Sequence, residues 1–234
     1  ALPISPADRV AAAARALAAA PDVAGVVRID NDRKDGALLD GAPVPLAGTP
    51  TVPERIAGVE VALGATEFAQ INPPQAEAIY AHVAALLALG DGTRVADVYA
   101  GLGGISFALA TRGATVVAIE RDPAAVAALA AAARGAGLGD RVAARAGDAA
   151  TLADGGGALD AVVVNPPRKG LSEATVAAVV GSAAARLVYV SCGPESLGRD
   201  LRALVAAGWR IDAVQPFDLM PGTPQVETVV RAVR

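Results

Sequence analysis

From Asn72 onward, short apolar runs alternate with helix-forming segments, and this alternation limits the chain to few folds. The runs are RVADVYA (94–100), ATVVAIE (114–120), RVAARAG (141–147), LDAVVVN (159–165) and RLVYVSC (186–192). Each has strand length and is apolar on both faces, as expected of a parallel sheet covered by helices on each side. A helix is predicted from just after Pro73-Pro74 to about Leu89. Two further strand candidates, WRIDAVQPFDL and VETVVRAV, end the series without a convincing helix between them. A hairpin closing a parallel α/β sheet points to an α/β class I methyltransferase, or Rossmann-like, fold with a mostly parallel seven-stranded sheet. A nicotinamide-binding domain would more often continue with parallel crossovers.

Residues 1–63 have a different texture. A helix, ADRVAAAARALAAA, precedes short strands such as VAGVVRI and GVEVAL, with turn-rich NDRKDG and GAPVPLAGTP between them. We read 1–63 as a small N-terminal α+β region, the remnant of a central domain, and 64–234 as the methyltransferase domain. The positive charges of the first helix lie inside the alanine run, so it reads as helix rather than signal peptide. Each apolar run is cut by charges or glycines before the roughly 20 residues needed to span a bilayer. The expectation is a cytoplasmic protein that does not engage a membrane.

Composition removes several chemistries. The single cysteine excludes an internal disulfide, a Cys-rich zinc site or a protein-held iron–sulfur cluster. The only histidine, His82, removes His-based metal sites and Ser-His-Asp triads, and no metal is expected. His82 itself reads as a solvent-facing helix position. Aromatic residues make up 3% of the chain, so any pocket has few rings for stacking. The net charge of −4 suggests no grip on nucleic-acid phosphates, so any such role must rest on local residues.

Five segments carry candidate chemistry. In DVYAGLGG (97–104), glycines after the first core strand let the backbone approach a ligand at the carboxyl edge of the sheet, although a tight turn would serve structure alone. Glu120 ends the next strand, where a carboxylate can accept both ribose hydroxyls of a nucleoside cofactor. Asp148, after the third, could orient an adenine amino group or simply cap a helix. In NPPRKG (165–170), two prolines stiffen the loop and Asn165 presents its amide at the mouth of the cleft. Arg168 stands where amine methyltransferases place an aromatic ring, so base stacking is not available there. Cys192 in YVSCGPES ends the adjacent strand at the same edge; packing and nucleophilic roles both fit it. Glu195 and Arg199 on the following helix read as salt-bridge or capping residues.

Together FAQINPPQAEAIY, DVYAGLGGISFALA, VVVNPPRKGL, LVYVSCGPESLGRDL and MPGTPQVETVV resemble, in order, the RNA uracil-C5 methyltransferases of the TrmA-like family, over about Thr66 to Arg234. The resemblance implies S-adenosyl-L-methionine as methyl donor and tRNA or rRNA as substrate, with 5-methyluridine as product. It places Gln70, Tyr99, Glu120 and Asn165 at cofactor contacts, with Gly101 and Gly103 in the loop. Cys192 matches the nucleophile and Glu227 the general base, while Arg168 is a substrate-side candidate. The implied chemistry is thiolate addition at uracil carbon 6, methylation of carbon 5, and removal of the carbon 5 proton by the base. The helix start after Pro194 and nearby arginines are expected to favour the thiolate. The target uridine would leave its stack to reach both residues. The chain departs from the family pattern at Ala100 (often Cys), Gly104 (often Asn) and Gln225 (commonly His). Longer members carry an RNA-binding β-barrel and some an iron–sulfur cluster; neither pattern is found here, so a helper supplying RNA binding is an expected partner. Two alternatives stand beside this reading: a methyltransferase of a base amine or small molecule, and a non-catalytic cofactor- or RNA-binding relative.

Overall fold

The computed structural model describes residues 6–30, 41–154 and 158–234. The turn expected at NDRKDG lies outside the described residues. Two compact units divide the chain: Ala1–Glu54 with Ala62–Phe68, and Arg55–Val61 with Ala69–Arg234.

In the first unit, helix α1 (Pro6–Ala18) precedes β1 (Gly25–Ile29), which pairs antiparallel with β2 (Pro43–Gly48). Strands β3 (Thr51–Ile56) and β4 (Val59–Gly64) form a second two-stranded sheet. Their turn, Ala57-Gly58, has φ of 49° and 78°. Two consecutive left-handed residues match the right-handed twist of a hairpin.

In the larger unit, α2 (Pro73–Leu87) precedes the main sheet. Asn72 caps it through a side-chain bond from the Gln75 amide, Pro73 needs no amide partner at its first position, and Ala88 ends it in the left-handed conformation. Then follow β5 (Arg94–Val98), α3 (Gly104–Ala110), β6 (Thr115–Glu120), α4 (Pro123–Gly135), β7 (Val142–Ala146) and a 3-10 turn at Ala149–Asp154. The chain continues as β8 (Ala161–Val164), α5 (Glu173–Gly181), β9 (Arg186–Ser191), α6 (Pro194–Ala206), β10 (Arg210–Phe217) and β11 (Glu227–Val233).

Seven strands form one sheet in the order β10-β11-β9-β8-β5-β6-β7. The pairs from β9 to β7 are parallel, and β11 enters antiparallel to both β9 and β10. This is the mostly parallel seven-stranded sheet of the class I methyltransferase fold, flanked by helices, as the alternating runs predict. The central strands are buried on both faces: every residue of β8 is buried, with Val162, Val163 and Val164 fully enclosed. The edge strands differ. In β7 only Val142 is buried, and β10 exposes most of its length, because an edge strand has a neighbour on one side only. No helix among the described residues is long and apolar enough to cross a membrane.

A carboxyl is enclosed at the centre of the sheet. Asp97 on β5 is fully buried; Ser106 on α3 donates to its Oδ2 at 2.6 Å, and its Oδ1 has no partner. Burial pushes this carboxyl up to about 7, the Ser106 hydrogen bonds pull against it, and Glu120 adds a smaller upward push. An acid whose folded value is raised favours the folded state while protonated, so that contribution fades as pH climbs from about 4 to 7. Urea unfolding near pH 4.5 and 7.5 should therefore show wild type losing stability relative to Asp97→Asn, by about a few kcal/mol across that interval. Parallel pH profiles for the two proteins would refute the buried neutral acid.

Candidate active site

The pairing of β9 with β11 builds the reactive end of the cleft. Thr228 lies opposite Ser191, and in an antiparallel ladder the next step places Glu227 opposite Cys192. Cys192 follows the last residue of β9, and the Glu227 charge acts directly on its thiol. Beyond Cys192 the chain turns at once: the Gly193 amide donates to Ser191 Oγ at 3.1 Å, and Pro194 opens α6. Cys192 is partly exposed, whereas Glu227 is 8% exposed.

Arg168, from the loop after β8, completes this group. Its Nη2 donates to Gln225 Oε1 at 2.7 Å, and its positive charge acts on the Cys192 thiol. Burial pushes the Cys192 thiol above its ordinary value and the Glu227 charge adds to this, while Arg168 pulls it down. Glu227 is likewise raised by burial and lowered by Arg168. The sequence leads one to expect a thiol drawn down by the helix start and by arginines. Arg168 acts in that sense, but desolvation and the facing carboxyl outweigh it.

The NPPRKG loop is held by α6 side chains from the LVYVSCGPESLGRDL segment. Ser196 Oγ donates to the Arg168 carbonyl at 2.8 Å, and Arg199 Nη2 to the Lys169 carbonyl at 2.8 Å. The Leu171 amide and the Tyr189 hydroxyl both donate to Asp200 Oδ2, at 2.7 and 2.8 Å, and Arg199 Nε reaches Asp200 Oδ1 at 2.9 Å. Gly170, at φ 76°, leaves room for this: a Cβ there would fall 2.4 Å from Asp200 Oδ2. Arg199 does form the ion pair expected of it, and also clamps the loop. One signal does point to Asp200: it shares the buried stripe of α6 with Leu197 and Leu204, an unusual place for a charge.

The cofactor candidates gather at the carboxyl ends of β5, β6 and β8. Tyr99 has φ of 64°, Gly101 53° and Gly103 93°, so the chain leaves β5 in left-handed steps. The Tyr99 hydroxyl meets Thr175 Oγ1 at 3.4 Å. A Cβ on Gly103 would strike Leu129 and Phe107, whereas one on Gly101 would meet nothing within 4 Å, so the loop is open above Gly101. Glu120 ends β6 with Oε2 accepting the Gly101 amide at 3.0 Å and Oε1 accepting those of Arg121 and Asp122 at 2.7 and 2.9 Å. These bonds orient the carboxylate, and Oε2 keeps a lone pair for a ribose hydroxyl. Asn165 follows β8, its backbone amide bonded to the Val98 carbonyl at 3.2 Å. The open loop and the part-spent carboxylate suit a nucleoside cofactor. Gln70 is half-buried just before the α2 cap. Asp148 is exposed and accepts the Ala150 amide at 2.9 Å, the helix-capping arrangement. Among the described residues no His, Cys, Asp and Glu cluster could hold a metal.

His82 departs from its expected solvent-facing place. It is half-buried, its Nε2 is buried without a partner, and its ring lies 5.5 Å from that of Phe217, the residue paired with Glu227.

Strand order, glycine loop and helices on both sides of the sheet together define a class I methyltransferase fold. Residues 155–234 match the tRNA (uracil-5-)-methyltransferase family, and residues 71–185 match one described as conserved hypothetical protein 95. An uncharacterized RNA methyltransferase of Parasynechococcus marenigrum is 34% identical over 211 residues, 88% of this chain and 45% of that protein. Another, of Lactiplantibacillus plantarum, is 35% identical over 215 residues, 90% of this chain and 44% of that protein. The crystal structure of Pyrococcus abyssi tRNA (uracil-54, C5)-methyltransferase with S-adenosyl-L-homocysteine aligns at a TM-score of 0.74 and 26% identity, covering 91% of this chain and 51% of that one. The chain thus spans about half the length of these relatives. At the family level it matches the catalytic domain of the TrmA-like RNA uracil-C5 methyltransferases.

The single thiol makes the electrostatics of the site directly measurable. Alkylation by iodoacetamide follows the thiolate, so its pH profile reports the Cys192 ionisation. Glu227→Gln removes a charge that raises the thiol and should move the profile to lower pH. Arg168→Gln removes one that lowers it and should move the profile to higher pH, each by roughly half a pH unit to one. Movements of the same sign would rule out this charge arrangement.

Proposed function

We propose that the chain is the catalytic part of a cytoplasmic, S-adenosylmethionine-dependent methyltransferase that forms 5-methyluridine in tRNA or rRNA. In this reading residues 64–234 are the methyltransferase domain and 1–63 a small appended region. What supports it is the register of β9 and β11, with Thr228 opposite Ser191, which brings Glu227 near Cys192 just past the end of β9, together with the Arg168 loop whose charge acts on both. Carbon 5 of uracil is too weakly nucleophilic to take a methyl group unaided, and a thiol with a facing base is the pair that overcomes this.

When bound, the cofactor supplies an electrophilic methyl group on its sulfonium. Glu120 would hold the ribose, while Tyr99, Gly101, Gly103, Asn165 and Gln70 would line the remainder of the pocket. Asp148 would meet the adenine. Cys192 would add to carbon 6 of the flipped uracil as a thiolate, placing electron density on carbon 5, the atom to be methylated. Arg168 offsets the thiolate charge and meets the pyrimidine from the loop side. Glu227, its affinity for protons raised by burial, removes the carbon 5 proton, and elimination returns Cys192. An Arg in place of a ring after Pro167 disfavours the amine-methylating alternative. A net charge of −4 offers little to phosphates, so a helper that supplies RNA binding belongs to this reading.

Incubation with S-adenosylmethionine and unmodified tRNA or rRNA should yield 5-methyluridine by nucleoside mass spectrometry. Cys192→Ala should reduce it below detection, and RNA containing 5-fluorouridine should trap wild type, but not that variant, as a covalent complex. Undiminished methylation by Cys192→Ala would sink the mechanism.

A further inference from the structure

Gly104 opens α3 at the mouth of β5, and the space a side chain would take there is already filled. A Cβ on Gly104 would fall 2.5 Å from Cζ and 2.7 Å from Oη of Tyr80. Tyr80 belongs to α2, so an adjacent helix delivers a phenol to the place from which position 104 would otherwise reach the pocket. The Tyr80 ring is half-buried, and no described residue accepts or donates a hydrogen bond at its hydroxyl. Burial, then Glu77 and Asp97, push its ionisation up to about 12, so it stays a neutral donor throughout the working range.

Topology says which part of a bound cofactor this hydroxyl would meet. The ribose-side carboxylate, Glu120, ends β6, and Asp148 follows β7 on the far side of it. The reactive residues lie on the other side of β5, after β8 and at the β9–β11 pair. A methyl group must face Cys192, so the adenosine runs from β5 towards β6 and β7. The amino-acid end is left at the mouth of β5, beside Gly104.

We propose that Tyr80 is a cofactor-binding residue whose hydroxyl, standing in the space of the missing side chain at Gly104, hydrogen-bonds the amino-acid end of S-adenosylmethionine. The assignment rests on the S-adenosylmethionine reading above. A phenol suits the zwitterionic end of the ligand because a neutral donor can serve its carboxylate without opposing its ammonium group. Tyr80→Phe keeps the ring that packs on Gly104 and removes only the hydroxyl.

Calorimetric titration with two ligands tests this without turnover. S-adenosylhomocysteine carries the amino-acid end, and 5′-methylthioadenosine keeps the nucleoside and sulfur but lacks it. Tyr80→Phe should weaken S-adenosylhomocysteine about tenfold or more, as expected for a hydrogen bond to a charged group, and leave 5′-methylthioadenosine unchanged. Equal S-adenosylhomocysteine affinity in both proteins, or an equal loss for both ligands, would overturn the assignment. Failure of wild type to bind either ligand would instead remove the cofactor reading itself, and the Tyr80 role with it.

Discussion

The antiparallel register between β9 and β11 is the constraint from which the reactive site follows. Thr228 opposite Ser191 carries Glu227 to a place facing Cys192, and a slip of one residue would turn the carboxyl to the other side of the sheet. The same ladder forces an acid into a nearly closed position next to a thiol. Two groups whose charged forms burial disfavours then share one environment, and Arg168 is the cation that acts on both. That arrangement keeps the resting thiol largely protonated. It also gives the carboxyl the proton affinity that a base needs at the end of the reaction.

Arg168 can act this way only because its loop is stiff. Prolines at 166 and 167 restrict the backbone, and the Ser196, Arg199 and Asp200 side chains seize its carbonyls and an amide from α6. Cys192 sits at the start of that helix. One helix therefore references both the nucleophile and its countercharge, and motion of α6 carries them together.

Much of this is legible in the residue pattern, for physical reasons that also mark its limits. Interior parallel strands announce themselves because both of their faces are apolar, and glycine and proline punctuate the loops after β5 and β8. The edge strands β7 and β10 do not follow the rule, since half of their surroundings is water. Asp148 is ambiguous in the sequence because a cap and a ligand contact call for the same carboxylate. The filled space at Gly104 and the partners of Asp200 arise from residues far apart in the chain, here α2 against α3 and β9 against α6. No local pattern encodes them. The direction in which the Cys192 thiol moves is hidden for the same reason, because burial in the assembled site raises it most and the charge that adds to this lies on a strand 35 positions further along.

The position of β11 between β9 and β10 also bears on the order of assembly. Strand β10 precedes β11 in the chain, yet it reaches the sheet only through β11. The edge is complete only when β11 is paired with β9, a contact between segments well separated in the chain. Until then Cys192 lacks both the burial and the facing anion that restrain its ionisation. The thiol should be most reactive while the protein is still folding, and completing the sheet is what makes it selective.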